Sequence, residues 1–528
     1  MRRRLVIHPF LCAVFPPLFL LAANVRQFEL SVLVLPMVFL LVATALLWGL
    51  LTLLLKNARK AGILVSVFLL LFFTYGYLYR GLPYFRVRFW KVRFDVRHVS
   101  FGIYGVLMLV AGWFTVRTKR DLRALTQIVN VFAAVLVAFS VVNIGVYHVR
   151  AWLSPQQTRT RADDVDVETP TGEIEKLPDV YHIILDGYGR DDILRELYGH
   201  DNSDFLDELR KRGFTIASKS TSNYAHTLLC FTAALNMNYI QTLLPDADPT
   251  SDDLTPLIDM MRHSEVHRIL KKHGYTTMAF ATGYMVTDMI DADVFVAAGL
   301  FEGEFNNALL DMTPVWMFVQ KLSRIPLHRQ RLLNTFERVK TLAAKPCHKF
   351  VHVHFVCPHD PFVFGPNGEE IDPPSLNQIP EPFLTAALLE EYRACYRNQV
   401  IYLNRRVLDM LDAVIERSPR DVVIVMQGDH GPPSSLKSQR GELPGVAYRE
   451  RFSILNAYRL PGKDPERIGI YQDISPVNSF RVIMNAYFGT DYKPLENRSY
   501  MSGWNKLYNL REVTDKVRPQ ATPAGGAP

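Results

Sequence analysis

The chain has 528 residues, too many for one ordinary compact domain, and 49% of them are apolar. Its net charge of +7 and pI near 9.0 owe much to basic residues that flank apolar runs, so they do not argue for nucleic acid. The five cysteines fit no zinc-ribbon spacing.

The apolar residues are unevenly spread. Runs near 5–23, 30–55, 61–79, 98–116 and 124–148 are each long enough to cross a bilayer, which takes roughly 20 residues as helix. They predict a five-helix transmembrane domain over residues 1–150. The first run follows Arg2, Arg3 and Arg4 like a signal peptide, but four more runs come after it, so it reads as a retained helix with a kink at Pro16 and Pro17. With the N-terminus inside, ten basic residues are cytoplasmic (Arg2, Arg3, Arg4, Lys56, Arg59, Lys60, Arg117, Lys119, Arg120 and Arg123) and eight are outside. The outside set is concentrated in "RGLPYFRVRFWKVRFDVR", residues 80–97, whose alternating basic and aromatic residues suit anionic headgroups or a solvated loop. Five spans place the rest of the chain outside the cytoplasm. Cys230, Cys347, Cys357 and Cys395 then lie where one or two disulfides are permitted.

Residues 151–177 lack apolar periodicity and read as a linker, and residues 512–528, ending "PQATPAGGAP", read as a disordered tail. Between them, residues 178–511 alternate short apolar runs with amphipathic stretches. "DVYHIILD" (179–186), "TTMAFAT" (276–282), "KFVHVHFV" (349–356) and "DVVIVMQGD" (421–429) are strand candidates, with "FTIASKS" (214–220) strand-like. Stretches 203–212, 263–273, 388–416 and 475–487 are helical candidates. This pattern predicts an α/β domain with a mainly parallel sheet between helices, in which ligands bind beyond the carboxyl ends of strands.

Those ends hold the chemistry. Asp186 closes the first strand before Gly187 and Gly189, as a metal ligand or as a cap for the next helix. In "SNYAHTLLCFTAALN" (222–236), a helix beginning around Ala225 puts Thr227 in its first turn, where amide groups and the helix dipole stabilise an alkoxide or a bound phosphate. A Thr hydroxyl needs a base or a metal to become a nucleophile. Ser222 reads as a turn residue, Thr232 lies too far along the helix, and Cys230 reads as a buried thiol. "HSEVH" (263–267) lacks the Glu of the zinc-protease motif and reads as a solvated helix face. His352 and His354 share a strand face, with His352 the core histidine. His359, in "PHDPF", is placed to donate a proton or grip a phosphate. Asp429 and His430, between Gly428 and Gly431, offer an oxygen and a nitrogen ligand.

Taken in order, "IILDGYGR", "YAHTLLCFTAALN", "PHDPF" and "QGDHG" resemble the alkaline phosphatase and sulfatase superfamily. The membrane part resembles that of lipoteichoic acid synthases and phosphoethanolamine transferases. The resemblance implies an alkaline-phosphatase-like (sulfatase-like) domain, with Asp186, Asp429 and His430 as ligands of one divalent metal, Mn or Zn. It also implies Thr227 as nucleophile and metal contact, His359 as substrate or leaving-group histidine, and His354 as a substrate-binding residue. Where sulfatases carry Cys or Ser followed by Pro and Arg, this chain has Thr227, Leu228, Leu229, Cys230 and Phe231, which argues against sulfate-ester hydrolysis.

The expected function is a membrane-bound phosphotransferase moving a phospholipid headgroup to a glycan, a lipid or water. Its expected seat is a bacterial inner membrane, with the catalytic domain on the periplasmic or extracellular side and no nucleic acid partner. A hydrolase of the same superfamily and a non-catalytic membrane scaffold are the rival expectations. The metal reading requires the donor atoms of Asp186, Thr227, Asp429 and His430 to converge within roughly 2–2.5 Å of one point.

Overall fold

The structure is a computed structural model that describes residues 5–25, 28, 30–81, 86–89, 92–153, 177–296, 304–315, 324–371, 373, 376, 385–437, 444–503 and 506–518. It divides into two compact units, residues 1–156 with 299–324, and residues 157–298 with 325–528.

Residues 5–153 of the first unit form helices in the expected order: α1 (His8–Ala23), α2 (Val34–Leu55), α3 (Ala58–Gly81), α4 (Val96–Arg117) and α5 (Arg123–Leu153). Four stretches are long and apolar enough to cross a membrane, namely Leu30–Leu55, Ala58–Leu78, His98–Arg117 and Arg123–Val149. These are four of the five expected spans. The fifth, α1, is a shorter apolar helix of 16 residues, about 24 Å at about 1.5 Å each. It packs among α2, α3 and α5, seated by polar contacts. Asn130 of α5 accepts from the amides of Ile7 and His8 and donates to the Leu5 carbonyl at 2.9 Å, while His8 Nδ1 meets Ser66 Oγ at 2.6 Å. The outer faces of α2, α4 and α5 present Leu53, Leu109 and Ile128 to the surroundings, as helices in lipid do.

Within the basic 80–97 segment the backbone forms an antiparallel hairpin, β1 (Arg86–Phe89) with β2 (Val92–Asp95). Residues 82–85, 90 and 91 lie outside the described residues. A later piece of chain, the helix Glu304–Asp311, also belongs to this unit, although the sequence places it in 178–511. Phe305 meets Phe28 edge to face at 5.3 Å, and the Gly76 amide donates to the Met312 carbonyl at 2.9 Å. Of the expected linker, α5 takes residues 151–153, and residues 154–176 lie outside the described residues.

The second unit is built on a seven-stranded sheet: β3 (Asp179–Leu185), β4 (Phe214–Ile216), β5 (Thr276–Phe280), β6 (Val294–Val296), β7 (Lys349–Phe355), β8 (Val422–Gln427) and β9 (Asn456–Arg459). The spatial order is β4-β9-β8-β3-β7-β5-β6, parallel from β8 to β6, with β9 and β4 adding antiparallel pairings. Every residue of β3 is buried, with alternate side chains entering different cores. Tyr181, Ile183 and Leu185 join the core on one face, and Val180 and Ile184 the core on the other. Helices on both faces explain why the strand reads as a continuous apolar run. Each such buried aliphatic side chain contributes about 1.5–3 kcal/mol.

Register then levels the strand ends. Ile184 pairs with His354 of β7 and with Gln427 of β8, so β3, β7 and β8 finish side by side at the same edge. At the opposite edge a buried Lys349 Nζ lies 2.5 Å from Asp179 Oδ2. Folded chain continues past 511 into the expected tail. Val513 and Val517 are buried, and Arg518 pairs with Asp473 at 3.0 Å, while residues 519–528 lie outside the described residues.

Candidate active site

Asp186 is the residue after β3. Its amide donates to the Phe355 carbonyl at 2.9 Å, and its carbonyl accepts from the His359 amide at 3.0 Å, so the ends of β3 and β7 are stitched together. Gly187 then turns with φ +71°, a conformation that favours glycine. The reading of Asp186 as a helix cap does not apply, since the next helix, Asp191–Tyr198, begins after Arg190.

Past β8, Asp429 and His430 fold back over this end. Asp429 Oδ1 accepts from the Gly187 amide at 3.0 Å. His430 Nδ1 donates to the Gly431 carbonyl at 3.1 Å, because a ring nitrogen facing a carbonyl must carry the proton. The lone pair is therefore on Nε2, which faces both carboxylates, 3.3 Å from Asp429 Oδ2 and 3.7 Å from Asp186 Oδ1. Gly431 has to be glycine, since a Cβ there would collide with the Glu450 carbonyl.

Thr227 is the first residue of the helix Thr227–Leu235, preceded by His226 in an extended conformation. Its Oγ1 lies 3.3 Å from His430 Nε2. The other three candidate groups of that segment point elsewhere. Ser222 Oγ donates to the Tyr224 carbonyl, Cys230 Sγ to the same carbonyl, and Thr232 Oγ1 to those of Leu228 and Leu257. Thr227 alone of the four faces the acidic pair.

The donor set fits a divalent cation. Asp186, Asp429 and His430 offer ligand atoms within 4.8 Å of one another, all buried. Ligands about 2.0–2.1 Å from a tetrahedral zinc stand about 3.4 Å apart, which matches the 3.3, 3.3 and 3.7 Å measured from His430 Nε2. Each carboxylate also has one oxygen held and one left over. Asp186 Oδ2 meets His354 Nε2 at 3.2 Å, while Asp186 Oδ1 and Asp429 Oδ2 are buried without a hydrogen-bond partner. Buried acceptors of this kind are costly unless something cationic meets them.

The electrostatics agree. Burial, then the charge of Asp186, pushes the Asp429 carboxyl up to about 6. Burial also opposes ionisation of Asp186, but His359, His354 and His430 outweigh it and hold that carboxyl below its ordinary range. Burial, reinforced by Arg451, lowers His430 well below the ordinary histidine value, so the ring is neutral and its Nε2 can act as a ligand. At His359, burial is outweighed by Asp360 and Asp186, which raise it to about 9. His359 Nδ1 is taken up by Asp360, 2.6 Å from the carbonyl and 2.9 Å from Oδ1, and its ring lies 6.2 Å from that of His430.

His354 is buried, with Nδ1 3.3 Å from Thr287 Oγ1 and Nε2 3.2 Å from Asp186 Oδ2. One histidine reading changes. His267, expected on a solvated helix face, is buried and paired with Ser264 at 2.6 Å, whereas His263 is exposed. His352 is a core histidine, its Nδ1 3.0 Å from that of His182. All five cysteines are free.

Sequence reasoning missed Arg451, at the end of the helix Gly445–Phe452. Buried at 4% exposure, its Nε donates to the Ala225 carbonyl at 3.0 Å and its Nη1 to the Gly431 carbonyl at 3.0 Å, and its Nη2 also bonds Ala225. One guanidinium thus ties the loop before Thr227 to the loop after His430. The one sequence signal is a charged pair, Glu450 and Arg451, set directly before the apolar "FSIL".

No family model matches the chain, and no curated protein matches it in sequence. Among solved structures it is similar to phosphoethanolamine transferases and sulfatases of the alkaline phosphatase superfamily. The C-terminal periplasmic domain of EptC from Escherichia coli, in complex with Zn, matches at 15% identity and TM-score 0.43, over 66% of this chain and 95% of that one. The soluble domain of lipooligosaccharide phosphoethanolamine transferase A from Neisseria meningitidis matches at 12% identity and TM-score 0.38, over 61% and 90%. The integral membrane form of that Neisseria protein matches at 12% identity and TM-score 0.38, over 91% of this chain and 95% of its own.

Proposed function

We propose that the chain is a membrane-anchored, metal-dependent phosphotransferase in which Thr227 accepts a phosphoryl-bearing headgroup from a phospholipid. The observation that carries this reading is a single hydroxyl, Thr227 Oγ1, at a helix start and 3.3 Å from the ligating nitrogen of a buried Asp–Asp–His cluster. Asp186, Asp429 and His430 would hold one divalent ion, zinc or manganese, with Thr227 completing the set. Bound there, the ion lowers the pKa of the Thr227 hydroxyl and neutralises phosphoryl oxygens.

Every other role falls to the chain itself. The start of the Thr227 helix presents amides to the phosphoryl oxygens. Thr227 Oγ1 gives up its proton to water and forms its bond to phosphorus as the bond to the lipid hydroxyl oxygen breaks. His359 is charged at neutral pH and supplies the proton that the departing diacylglycerol oxygen needs. His354 and the Gly187 amide keep the carboxylates aimed, and Arg451 keeps the two loops in register. A hydroxyl of a glycan or lipid, or water, then takes the group from Thr227. The membrane helices concentrate the site at its lipid substrate, and the outer face of a bacterial-type inner membrane is where the reading places it.

The test is release of diacylglycerol from phospholipid vesicles by the full-length protein with zinc or manganese. The reading expects release that needs both metal and Thr227. Headgroup recovered free identifies water as acceptor, and headgroup recovered on an added glycan identifies a transferase. No release, or release unaffected by Thr227→Ala, would overturn it. A scaffold without catalysis would leave Asp186 Oδ1 and Asp429 Oδ2 buried side by side with His430 and no cation to meet them, which disfavours it.

A further inference from the structure

A second polar pocket lies in the helical unit, at the end of the bundle where α1, α3 and α5 begin. It has a volume of about 270 Å³ and is lined by Leu5, Arg59, Arg123, Thr126, Gln127 and Asn130. This is room for a group many times the size of a water molecule, whose share of liquid volume is about 30 Å³.

Three observations say what fits it. The loops at this end carry Lys56, Arg59, Lys60, Arg117, Lys119, Arg120 and Arg123 against one acid, Asp121. Among the described residues, the one ion pair to a pocket arginine joins Arg123 Nε to Asp121 at 3.3 Å, and Asp121 is well exposed. That excess favours an anion. Thr126 is 2% exposed, and its Oγ1 has no hydrogen-bond partner. A hydroxyl left over in the first turn of a helix of 31 residues is a donor waiting for an acceptor oxygen. Asn130, by contrast, is used up in seating α1 and gives the pocket a fixed wall.

The surroundings decide where the anion comes from. On the same helix Leu125 is 42% exposed and Ile128 65%, so an apolar surface begins beside the polar pocket. A ligand with a phosphate at one end and acyl chains at the other meets both surfaces, and a free phosphate meets one. Basic pockets between membrane helices on the side that bears the basic loops hold anionic headgroups in this way.

We infer that this pocket binds the phosphate-bearing headgroup of an anionic phospholipid, with Arg59 and Arg123 pairing its charge and Thr126 donating to a phosphate oxygen. The site is separate from the Thr227 cluster and does not depend on the activity proposed for it.

The experiment uses full-length protein in neutral detergent, with retained lipid counted by native mass spectrometry. The probes are phosphatidylglycerol, phosphatidylcholine and free glycerol phosphate. The inference expects wild-type protein to keep phosphatidylglycerol in preference to phosphatidylcholine. It expects R59Q with R123Q to lose roughly tenfold or more of that retention, with T126V losing less. The charge-matched control K119Q with R120Q, outside the pocket, should lose less than about twofold. Equal losses in the pocket and control variants would mean diffuse surface attraction and overturn the inference. So would equal retention of both lipids by wild type, or displacement of phosphatidylglycerol by glycerol phosphate at equal concentration. Unchanged helical circular dichroism in each variant separates loss of the site from loss of the fold.

Discussion

Thr227 Oγ1 and His430 Nε2 stand 3.3 Å apart although 203 residues separate them in the chain. One begins a helix and the other follows a strand, and the level ends of β3, β7 and β8 bring the two together. A hydroxyl beside the lone pair of a neutral, buried imidazole and two carboxylates is either a metal contact or a purely structural donor to that ring. The first prediction separates these. Thr227→Ala should lower kcat on the order of 10³-fold or more, as loss of a nucleophile does. Thr227→Ser, which keeps the hydroxyl, should retain measurable turnover in the vesicle assay.

Metal removal should show in stability as well as activity. With a chelator, Asp186 Oδ1 and Asp429 Oδ2 stay buried without a hydrogen-bond partner. Adding zinc or manganese at about 100 times its Kd should restore about 2.7 kcal/mol, read as a rise in Tm. Asp429→Asn should abolish the metal-dependent rise and leave the chelated protein no less stable than wild type. Elemental analysis should find one ion per chain in wild type.

The pH dependence has a defined sign at His359. Its folded value of about 9 is above the ordinary 6.5, so its pairing with Asp360 and Asp186 stabilises the fold fully below about 6.5. That stability is lost as pH rises through 9. The difference in Tm between wild type and His359→Gln should therefore shrink between pH 6.5 and 9.5. Activity should fall along the same alkaline limb, since the leaving oxygen needs the proton, and His359→Gln should remove the limb along with most of the rate.

Arg451→Met should be among the costlier single changes outside the ligand set. It strips donors from the Ala225 and Gly431 carbonyls, at roughly 1–3 kcal/mol for each buried group left unpaired. Because the Gly431 carbonyl also fixes the His430 ring, metal affinity should fall about 10–100-fold, measured by competition with a chelating dye. Arg451→Lys keeps the charge and one bond, so it should recover stability better than metal affinity.

The sequence made some of this legible and hid the rest for physical reasons. β3, β7 and β8 were visible because strands covered on both faces are mostly apolar, and the glycines beside Asp186 and Asp429 mark sharp turns at their ends. β9, "NAYR", was invisible because four mixed residues carry no period. The run near 5–23 did not give the bounds of α1, since an apolar run shows composition and not where the helix starts and stops. Arg451 was hidden most deeply. It acts on backbone carbonyls 226 and 20 residues away, and carbonyls have no signature in a sequence.

The central claim is that Thr227 becomes covalently loaded by a phospholipid donor. Full-length protein mixed with donor vesicles and metal, quenched in acid and mapped by peptide mass, tests it directly. A headgroup phosphate adduct is expected on the peptide carrying Thr227, present in wild type, reduced in His359→Gln and missing in Thr227→Ala. An unmodified Thr227 peptide in a wild-type sample that is turning over donor, or an equal adduct in Thr227→Ala, would contradict it.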